Sequence, residues 1–226
     1  MLEDENAGFD FRPLDNLCLQ ISRLGARVVA ITSPRRSPRV DQLSRLLCAA
    51  LANGDLATAL IDAGDSDSNE RVVWSPKETL SQEKFIKDIG GFDRLSIKAN
   101  ETSRPLFNNL THLKRALDVD LKPLDRIVLS LAPLLESRSL APSALSVARA
   151  ADAVFVMCAA GSTQTADAAA AVAQLRAGGA NFAGSIMDNA EEAAAARAMG
   201  RAISRTWLLP AAFSSRLATF VTESQP

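Results

Sequence analysis

The sequence predicts an α/β fold, with a doubly wound and mainly parallel sheet flanked by helices. Short runs rich in Val, Ile and Leu alternate with longer segments of helical periodicity, and turn residues separate the two. Strands that alternate with helices form parallel sheets through right-handed crossovers. The 226 residues suffice for one domain over 1–226, with an N-terminal helical segment at 1–26 and a C-terminal tail at 205–226.

The first quarter of the chain contains two predicted helices and two predicted strands. The first helix is predicted from four apolar residues at helical spacing, Leu14, Leu17, Ile21 and Leu24. A second apolar stripe begins at Val40 and stops at the sequence "NG" (53–54), which is a helix-ending signal. Continuous apolar runs at 27–32 and 57–62 predict buried strands.

The middle of the chain predicts a polar loop and three further elements. The turn-rich stretch 63–80 predicts a mobile loop with a short strand at Val72–Trp74. The segment "SQEKFIKDIG" (81–90) predicts a short helix, and the alternation at 92–99 predicts a strand. One apolar face over 104–121 predicts a single helix.

The second half continues the same alternation. Apolar runs predict strands at 124–133, 153–161 and 182–189. Helical segments are predicted at 143–152, 165–179 and 190–204. The tail after them adds a predicted short strand and a helix.

Composition excludes several classes of protein. A net charge of −1 and a pI near 5.9 give no general attraction to nucleic acid or anionic lipid. The acidic start is unlike a targeting peptide, and no apolar run reaches the roughly 20 residues that span a bilayer. Cys18, Cys48 and Cys158 are far apart in the sequence and have no metal-ligand spacing, so each is interpreted as a buried thiol in a reducing compartment. The single histidine, His112, cannot form a His-based metal cluster. These features predict a cytoplasmic protein.

The loop "SPRRSPRVD" (33–41) lies where an α/β protein often holds a phosphate. It joins a predicted strand to a helix N-terminus, where backbone N–H groups and the helix dipole favour an anion. A P-loop adds glycines that let the backbone approach phosphate, a lysine for the β and γ oxygens, and a Ser/Thr for Mg²⁺. This loop contains neither glycine nor lysine.

The sequence around the loop resembles the cytoplasmic tyrosine kinases of bacterial polysaccharide export, a branch of the ParA/MinD-type P-loop ATPases. Members typically read "VTSPxPGEGKSTxAxNLAxxLA", and this chain aligns without a gap as "ITSPRRSPRVDQLSRLLCAALA". Residues 31–34 match, as do Leu47 and Leu51. The resemblance extends over about 11–189 and implies a P-loop NTPase-like fold.

The residues that carry chemistry in that family are changed here. The two loop glycines fall on Ser37 and Arg39, the lysine on Val40, and the Mg²⁺-binding hydroxyl on Asp41. Arg39 introduces a side chain where only backbone approaches phosphate, and Asp41 introduces a carboxylate where like charges repel. The family's tyrosine cluster, its target of autophosphorylation, is missing because the chain has no tyrosine.

Two later motifs of the family are partly retained. Asp62 keeps the first acid of the family's "LLIDAD", whereas Gly64 replaces the second and Asp65 is one position out of place. The acid that ends the strand of the third motif is Ser130 here. Asn189 matches the residue that contacts the adenine base in the family.

The resemblance therefore predicts a vestigial nucleotide loop, with Asp62 and Asn189 as further contacts if any nucleotide binds. The loop residues are Ser33, Pro34, Arg35, Arg36, Ser37, Arg39, Val40 and Asp41. No catalytic residue, metal or cofactor is predicted, and weak ATP or ADP binding stays open.

Each of these residues also has an ordinary structural interpretation. Asp62 and Asp41 could cap a turn and a helix. The loop arginines could bind an anion or an acidic partner, or they could be solvated charges, and Asn189 could form a turn at the strand end.

The favoured hypothesis is a pseudokinase that acts by binding a membrane polysaccharide co-polymerase or export protein, cytoplasmic and peripheral to the inner membrane through that partner. The alternative is an active kinase or ATPase with a rearranged site, in which arginine replaces lysine. A ParA-like DNA-binding protein is disfavoured, because the chain has no basic stripe. A homo-oligomer stays open, although only Arg12 remains of the family's N-terminal oligomer motif.

Overall fold

A central sheet of eight strands organises the protein in the computed structural model, which describes residues 12–54, 56–64, 71–136 and 141–189. The strands are β1 (Val28–Thr32), β2 (Thr58–Ala63), β3 (Val72–Val73), β4 (Ile86–Lys87), β5 (Asp93–Lys98), β6 (Arg126–Leu131), β7 (Ala153–Ala159) and β8 (Phe182–Asp188). Their order is β3-β5-β2-β6-β1-β7-β8, and β4 pairs antiparallel with β5. The mainly parallel α/β sheet that the sequence predicts is therefore confirmed.

Five α-helices accompany the sheet in the described part of the chain. They are α1 (Arg12–Leu24), α2 (Arg39–Ala52), α3 (Leu110–Arg115), α4 (Ala144–Ala148) and α5 (Thr165–Ala177). The predicted helix at 190–204 and the predicted elements of the tail lie outside the described residues.

The chain divides into two compact units. The larger one comprises Phe11–Cys158 and Thr163–Ile186, and it holds nearly all of the described elements. The second includes Ala159–Ser162 and, among the described residues, 187–189. Within it, the Ala160 amide donates to the Asp188 carbonyl at 2.8 Å.

The core of the larger unit is formed by the central strands. Every residue of β1 and β2 is buried, because a parallel sheet is covered on both faces. This explains why these strands appear in the sequence as continuous apolar runs rather than as alternating patterns. Cys18, Cys48 and Cys158 are free thiols, and burial raises the pKa of each.

The predicted short helix at 81–90 is wrong. Only Gln82–Lys84 forms a single 3₁₀ turn, which Ser81 caps by accepting from the Glu83 amide. The chain then forms β4 and returns through a tight turn into β5. Gly91 closes that turn with φ +81°, a conformation that favours glycine.

The predicted single helix at 104–121 is interrupted in two places. A 3₁₀ segment at Arg104–Asn108 ends at Asn109, whose side chain caps α3 by accepting from the His112 amide. After α3 the backbone widens into a π-turn at Ala116–Asp120. Asparagine favours caps over helix interiors, and this accounts for the first break.

Arg27 accounts for the π-turn. The Leu121 amide donates to the Ala116 carbonyl, five residues back, at 3.1 Å. The Leu117 carbonyl, four residues back, instead accepts from Arg27 Nη1 at 2.9 Å. The same guanidinium donates to the carbonyls of Leu121 at 2.5 Å and Leu124 at 3.0 Å. One side chain thus replaces a helical hydrogen bond and anchors the segment to the start of β1.

Candidate functional site

The candidate site lies at the carboxyl ends of β1, β2 and β6, which are adjacent parallel strands. Ligands of open α/β sheets bind at this edge. Asp62, near the end of β2, is in register with Ser130 on β6 and with Ser96 on β5. The strand ends therefore place one buried carboxylate between two buried serines.

A cleft of about 240 Å³ opens at this edge. Its lining residues are Ser33, Arg36, Ser37, Pro38, Asp41, Asp62, Gly64, Ser130, Leu131 and Pro133. The structure thus brings together five of the predicted site residues. Pro34, Arg35, Arg39 and Val40 are not among the lining residues.

The loop 33–38 is fastened to the segment that follows β6. Thr32 Oγ1 donates to the Ala132 carbonyl at 2.8 Å. The amides of Leu134 and Leu135 donate to the carbonyls of Ser33 and Pro34 at 2.9 and 3.0 Å. These contacts hold the loop in one path over the sheet edge.

Three backbone amides of the loop donate to groups within the protein. The Arg36 amide donates to Glu136 Oε1 at 3.2 Å, so this amide binds a carboxylate of the protein itself. The Arg39 amide donates to Ser37 Oγ at 3.3 Å, and the Val40 amide donates to the Ser37 carbonyl at 3.4 Å. The two prolines of the loop have no N–H to offer.

Arg35 and Arg39 contact other side chains. Arg35 binds Asp167 in the first turn of α5, with Nε–Oδ2 at 2.6 Å and Nη2–Oδ1 at 3.1 Å. Arg39 Nη1 donates to Gln42 Oε1 at 3.0 Å. Arg36 is exposed and is the one cationic residue among those that line the cleft in the described part of the chain.

Val40, the predicted site residue that aligns with the lysine of the P-loop motif, lies in the core. The Val40 side chain is buried, with 4% of the residue exposed, on the side of α2 that also carries Leu43, Leu47 and Leu51. A buried apolar side chain gives α2 part of its packing energy and supplies no charge. Val40 is therefore part of the packing of the helix.

Asp41 is half-buried at the first turn of α2. Its Oδ2 accepts from Arg45 Nε at 3.0 Å, and its Oδ1 has no hydrogen-bond partner. Burial raises the pKa of the Asp41 carboxyl, the nearby Asp62 raises it further, and Arg45 opposes both. The charged form of the Asp41 carboxyl is therefore less stable than that of an exposed aspartate.

Asp62 lies deeper, and several groups contact its carboxylate. Its Oδ1 accepts from the Gly64 amide at 2.9 Å, which is the turn-capping arrangement. Ser96 Oγ approaches Oδ2 at 3.5 Å, and Arg71 Nη2 lies 3.9 Å from Oδ1. Arg71 also donates to the Gly64 carbonyl. No local pattern in the sequence indicates this role of Arg71.

The remaining predictions concern metals, the adenine contact and the membrane. No group of three His, Cys, Asp or Glu residues that could hold a metal ion occurs within the described ranges.

Asn189 is exposed after β8 and belongs to the second unit. Asp65 lies outside the described residues. In the part of the chain that the structure covers, every helix is too short or too polar to cross a bilayer.

Comparisons with known proteins place the fold. No protein-family model matches the sequence, and no curated protein matches it. Among solved structures, the kinase domain of the Escherichia coli tyrosine kinase ETK has a TM-score of 0.63 at 18% identity, over 77% of this chain and 72% of that one. The VpsO kinase domain has a TM-score of 0.64 at 19% identity, over 84% and 99%.

A cell division protein shares the same architecture. MinD of Aquifex aeolicus, in complex with MinC, gives a TM-score of 0.55 at 17% identity, over 72% of this chain and 68% of that one. These similarities show that the chain has the α/β fold of P-loop NTPases, which confirms the fold that the resemblance implies.

Proposed function

We propose that this protein is a catalytically degenerate member of the tyrosine-kinase-like P-loop proteins and that it acts by binding. Its partner in this proposal is the cytoplasmic part of a membrane co-polymerase or export protein of exopolysaccharide biosynthesis. The similarity in fold to bacterial tyrosine kinase domains supports this context. The aligned motif around 31–51 supports it as well.

One observation supports the proposed absence of catalysis. Three loop amides, those of Arg36, Arg39 and Val40, donate here to Glu136 and Ser37, and the buried Val40 occupies the position that aligns with the lysine. Phosphoryl transfer depends on positioning and on charge neutralisation by cations. A site with engaged amides and without that cation supplies neither.

A second candidate function is an active ATPase or kinase with a rearranged site. The retained cleft favours it, because Asp62 and Arg36 both line the cleft beneath the loop. Arginine can make the phosphate contacts that lysine makes elsewhere. Against it, Asp41 and Asp62 would both face the phosphates of a bound nucleotide.

Nucleotide titration separates the two functions. Mg-ATP and Mg-ADP are titrated into the full chain by calorimetry and by thermal melting, with the ETK kinase domain measured in parallel. We expect no heat of binding and no rise in Tm for this chain. A ligand at 100 times its Kd stabilises the folded state by about 2.7 kcal/mol, so specific binding would be evident and would contradict the proposal.

The partner is tested in cells and in membranes. A tagged chain is expected to co-purify with a polysaccharide co-polymerase from detergent-solubilised membranes of its native host, and deletion is expected to reduce exopolysaccharide. Normal polymer production in the deletion strain, together with no recovery of such a membrane protein, would contradict the proposed context.

A further inference from the structure

The turn that joins β4 to β5 presents an almost fully exposed isoleucine. Ile89 at this turn is 92% exposed, and Ile86 on β4 is 56% exposed. Both side chains line a hollow of about 160 Å³, together with Val72 and Leu95. Single exposed apolar residues are common on soluble proteins, whereas apolar residues grouped around a hollow are typical of an interaction site.

Hydrogen bonds hold the turn in this shape. The Asp88 amide donates to the Phe92 carbonyl at 2.9 Å, and the Gly91 amide donates to the Asp88 carbonyl at 3.1 Å. The Gly90 amide donates to Asp88 Oδ1 at 3.2 Å, and a Cβ at Gly90 would lie 2.7 Å from the Phe92 ring. The backbone of the turn is thus packed against the buried Phe92, and the Ile89 side chain projects into solvent from a fixed turn.

The charges around the hollow balance one another. Four charged residues of the hairpin are paired, in the ion pairs Lys87–Asp93 and Arg94–Asp88. Glu83 and Lys84 lie on the 3₁₀ turn before β4, and within the described residues neither charged group has a hydrogen bond or an ion pair. A neutral surface has no general attraction to nucleic acid or anionic lipid. With one unpaired charge of each sign, it is complementary to a surface that carries the same two charges.

We propose that two copies of this chain form a symmetric dimer through the edge patch, which comprises Glu83, Lys84, Ile86 and Ile89. β3 and β4 both pair with β5 on the side away from β2, and the described part of the chain adds no further strand there. An open sheet edge of this kind can receive another chain. The proposal is independent of the proposed function, which concerns a different partner.

The edge patch is complementary to itself, as a symmetric dimer requires. In such a dimer the same surface of both copies meets. The patch carries both the projecting Ile89 and the hollow that receives it from the second copy. A volume of about 160 Å³ holds one branched aliphatic side chain, since cavities of about 150 Å³ hold a benzene molecule. Across the two-fold axis, Glu83 of each copy pairs with Lys84 of the other.

Sedimentation velocity of the full chain between about 5 and 200 μM tests the dimer. We expect a reversible equilibrium between monomer and dimer in the wild-type chain. Ile89→Asp is expected to weaken the Kd of the dimer at least about tenfold, because a charged side chain would have to enter an apolar hollow. The matched control is Leu19→Asp, at an exposed leucine on α1, which should leave the Kd unchanged. Circular dichroism verifies that both variants are folded.

A charge exchange tests the arrangement of the two copies. Lys84→Glu places like charges opposite each other across the axis and is expected to weaken the Kd severalfold. The double variant Glu83→Lys with Lys84→Glu should restore the wild-type Kd, because opposite charges then face each other again. General charge attraction would give no such restoration.

A wild-type chain that stays monomeric over this range would overturn the proposal, as would a dimer that Ile89→Asp leaves intact. Greater weakening by Leu19→Asp would place the contact on α1. A double variant that binds no more tightly than Lys84→Glu would contradict the symmetric pairing of the charges. If a monomeric chain loses its binding to phosphatidylglycerol vesicles, or to its membrane partner, through Ile89→Asp, the edge patch contacts lipid or that partner instead of a second copy.

Discussion

Arg35 and Asp167 form a two-point ion pair that joins the loop after β1 to the first turn of α5. The two contacts, 2.6 and 3.1 Å, make the pair bidentate. The arginine that follows the retained "TSP" therefore contacts a helix on the protein surface instead of the cleft. The conformation of the loop therefore depends in part on Asp167, which lies 132 positions away in the sequence.

The first prediction concerns the titration of Asp167. The hydrogen bond from Arg35 and the charge of that residue lower the pKa of Asp167 below its ordinary value of 3.8. Such a pair contributes stability above the ordinary pKa and loses it as the pH falls through the lowered value. Arg35→Gln is expected to return the pKa of Asp167 toward 3.8, measured from its carboxyl carbon shift by NMR.

The matched control is Arg23→Gln, which changes an exposed arginine at the end of α1. It should leave the Asp167 titration unaltered. High salt should reduce this lowering of the Asp167 pKa in the wild-type chain, because 63% of the Arg35 side chain is exposed to solvent. An unchanged Asp167 titration in Arg35→Gln would show that the ion pair does not form in solution.

The second prediction is that Asp41→Asn stabilises the protein at neutral pH. Burial raises the folded-state pKa of Asp41 above 3.8, so the folded state favours the protonated acid. The stability from this group is present below the unfolded pKa and is lost as the pH rises through the raised value. We expect a gain below about 1 kcal/mol at pH 7, since 30% of the side chain is exposed and water screens the charge.

Urea denaturation between pH 7 and pH 4 measures this gain. The advantage of Asp41→Asn should shrink as the pH falls, because the wild-type carboxyl then becomes neutral. Asp118→Asn, at an exposed site, serves as the control and should show no such trend. A gain that is equal at both ends of this range would mean that the charge of Asp41 carries no cost.

The fold could be predicted from the sequence because its signals are local. Strands such as β1 and β2 are buried on both faces, and this requires runs of apolar residues that can be seen without any partner. One error falls where a distant residue intervenes. The π-turn depends on Arg27, about 90 positions earlier, and no pattern within 104–121 encodes it.

The sequence predicts where the candidate site lies, but it does not predict which residues form hydrogen bonds and ion pairs there. The strand–loop–helix order located Asp41 and Asp62 at one edge of the sheet. The residues that decide its chemistry, Glu136, Asp167 and Arg71, come from other loops and helices. Their roles arise from the folded geometry, and one sequence carries no local signal for them.

The third prediction is that Arg27→Ala costs about 2–3 kcal/mol of unfolding free energy, because three carbonyls lose a charged donor. Urea denaturation measures the loss. Hydrogen exchange should also accelerate at 116–121, where the π-turn depends on this side chain. Arg23→Ala is the control and should change stability by less than about 0.5 kcal/mol. Equal stability of the two variants would show that the carbonyls find water instead.

The fourth prediction tests whether the lysine position has become part of the core. Val40→Lys is expected to lose about 2–4 kcal/mol, since an ammonium would replace a side chain that is 4% exposed. Val73→Lys, at a valine that is 47% exposed, should lose less than about 0.5 kcal/mol. Urea denaturation compares the two variants. Mg-ATP should not raise the Tm of Val40→Lys, because the loop amides stay bonded to Glu136 and Ser37. A stable Val40→Lys chain that Mg-ATP stabilises further would instead show that one substitution restores a nucleotide site.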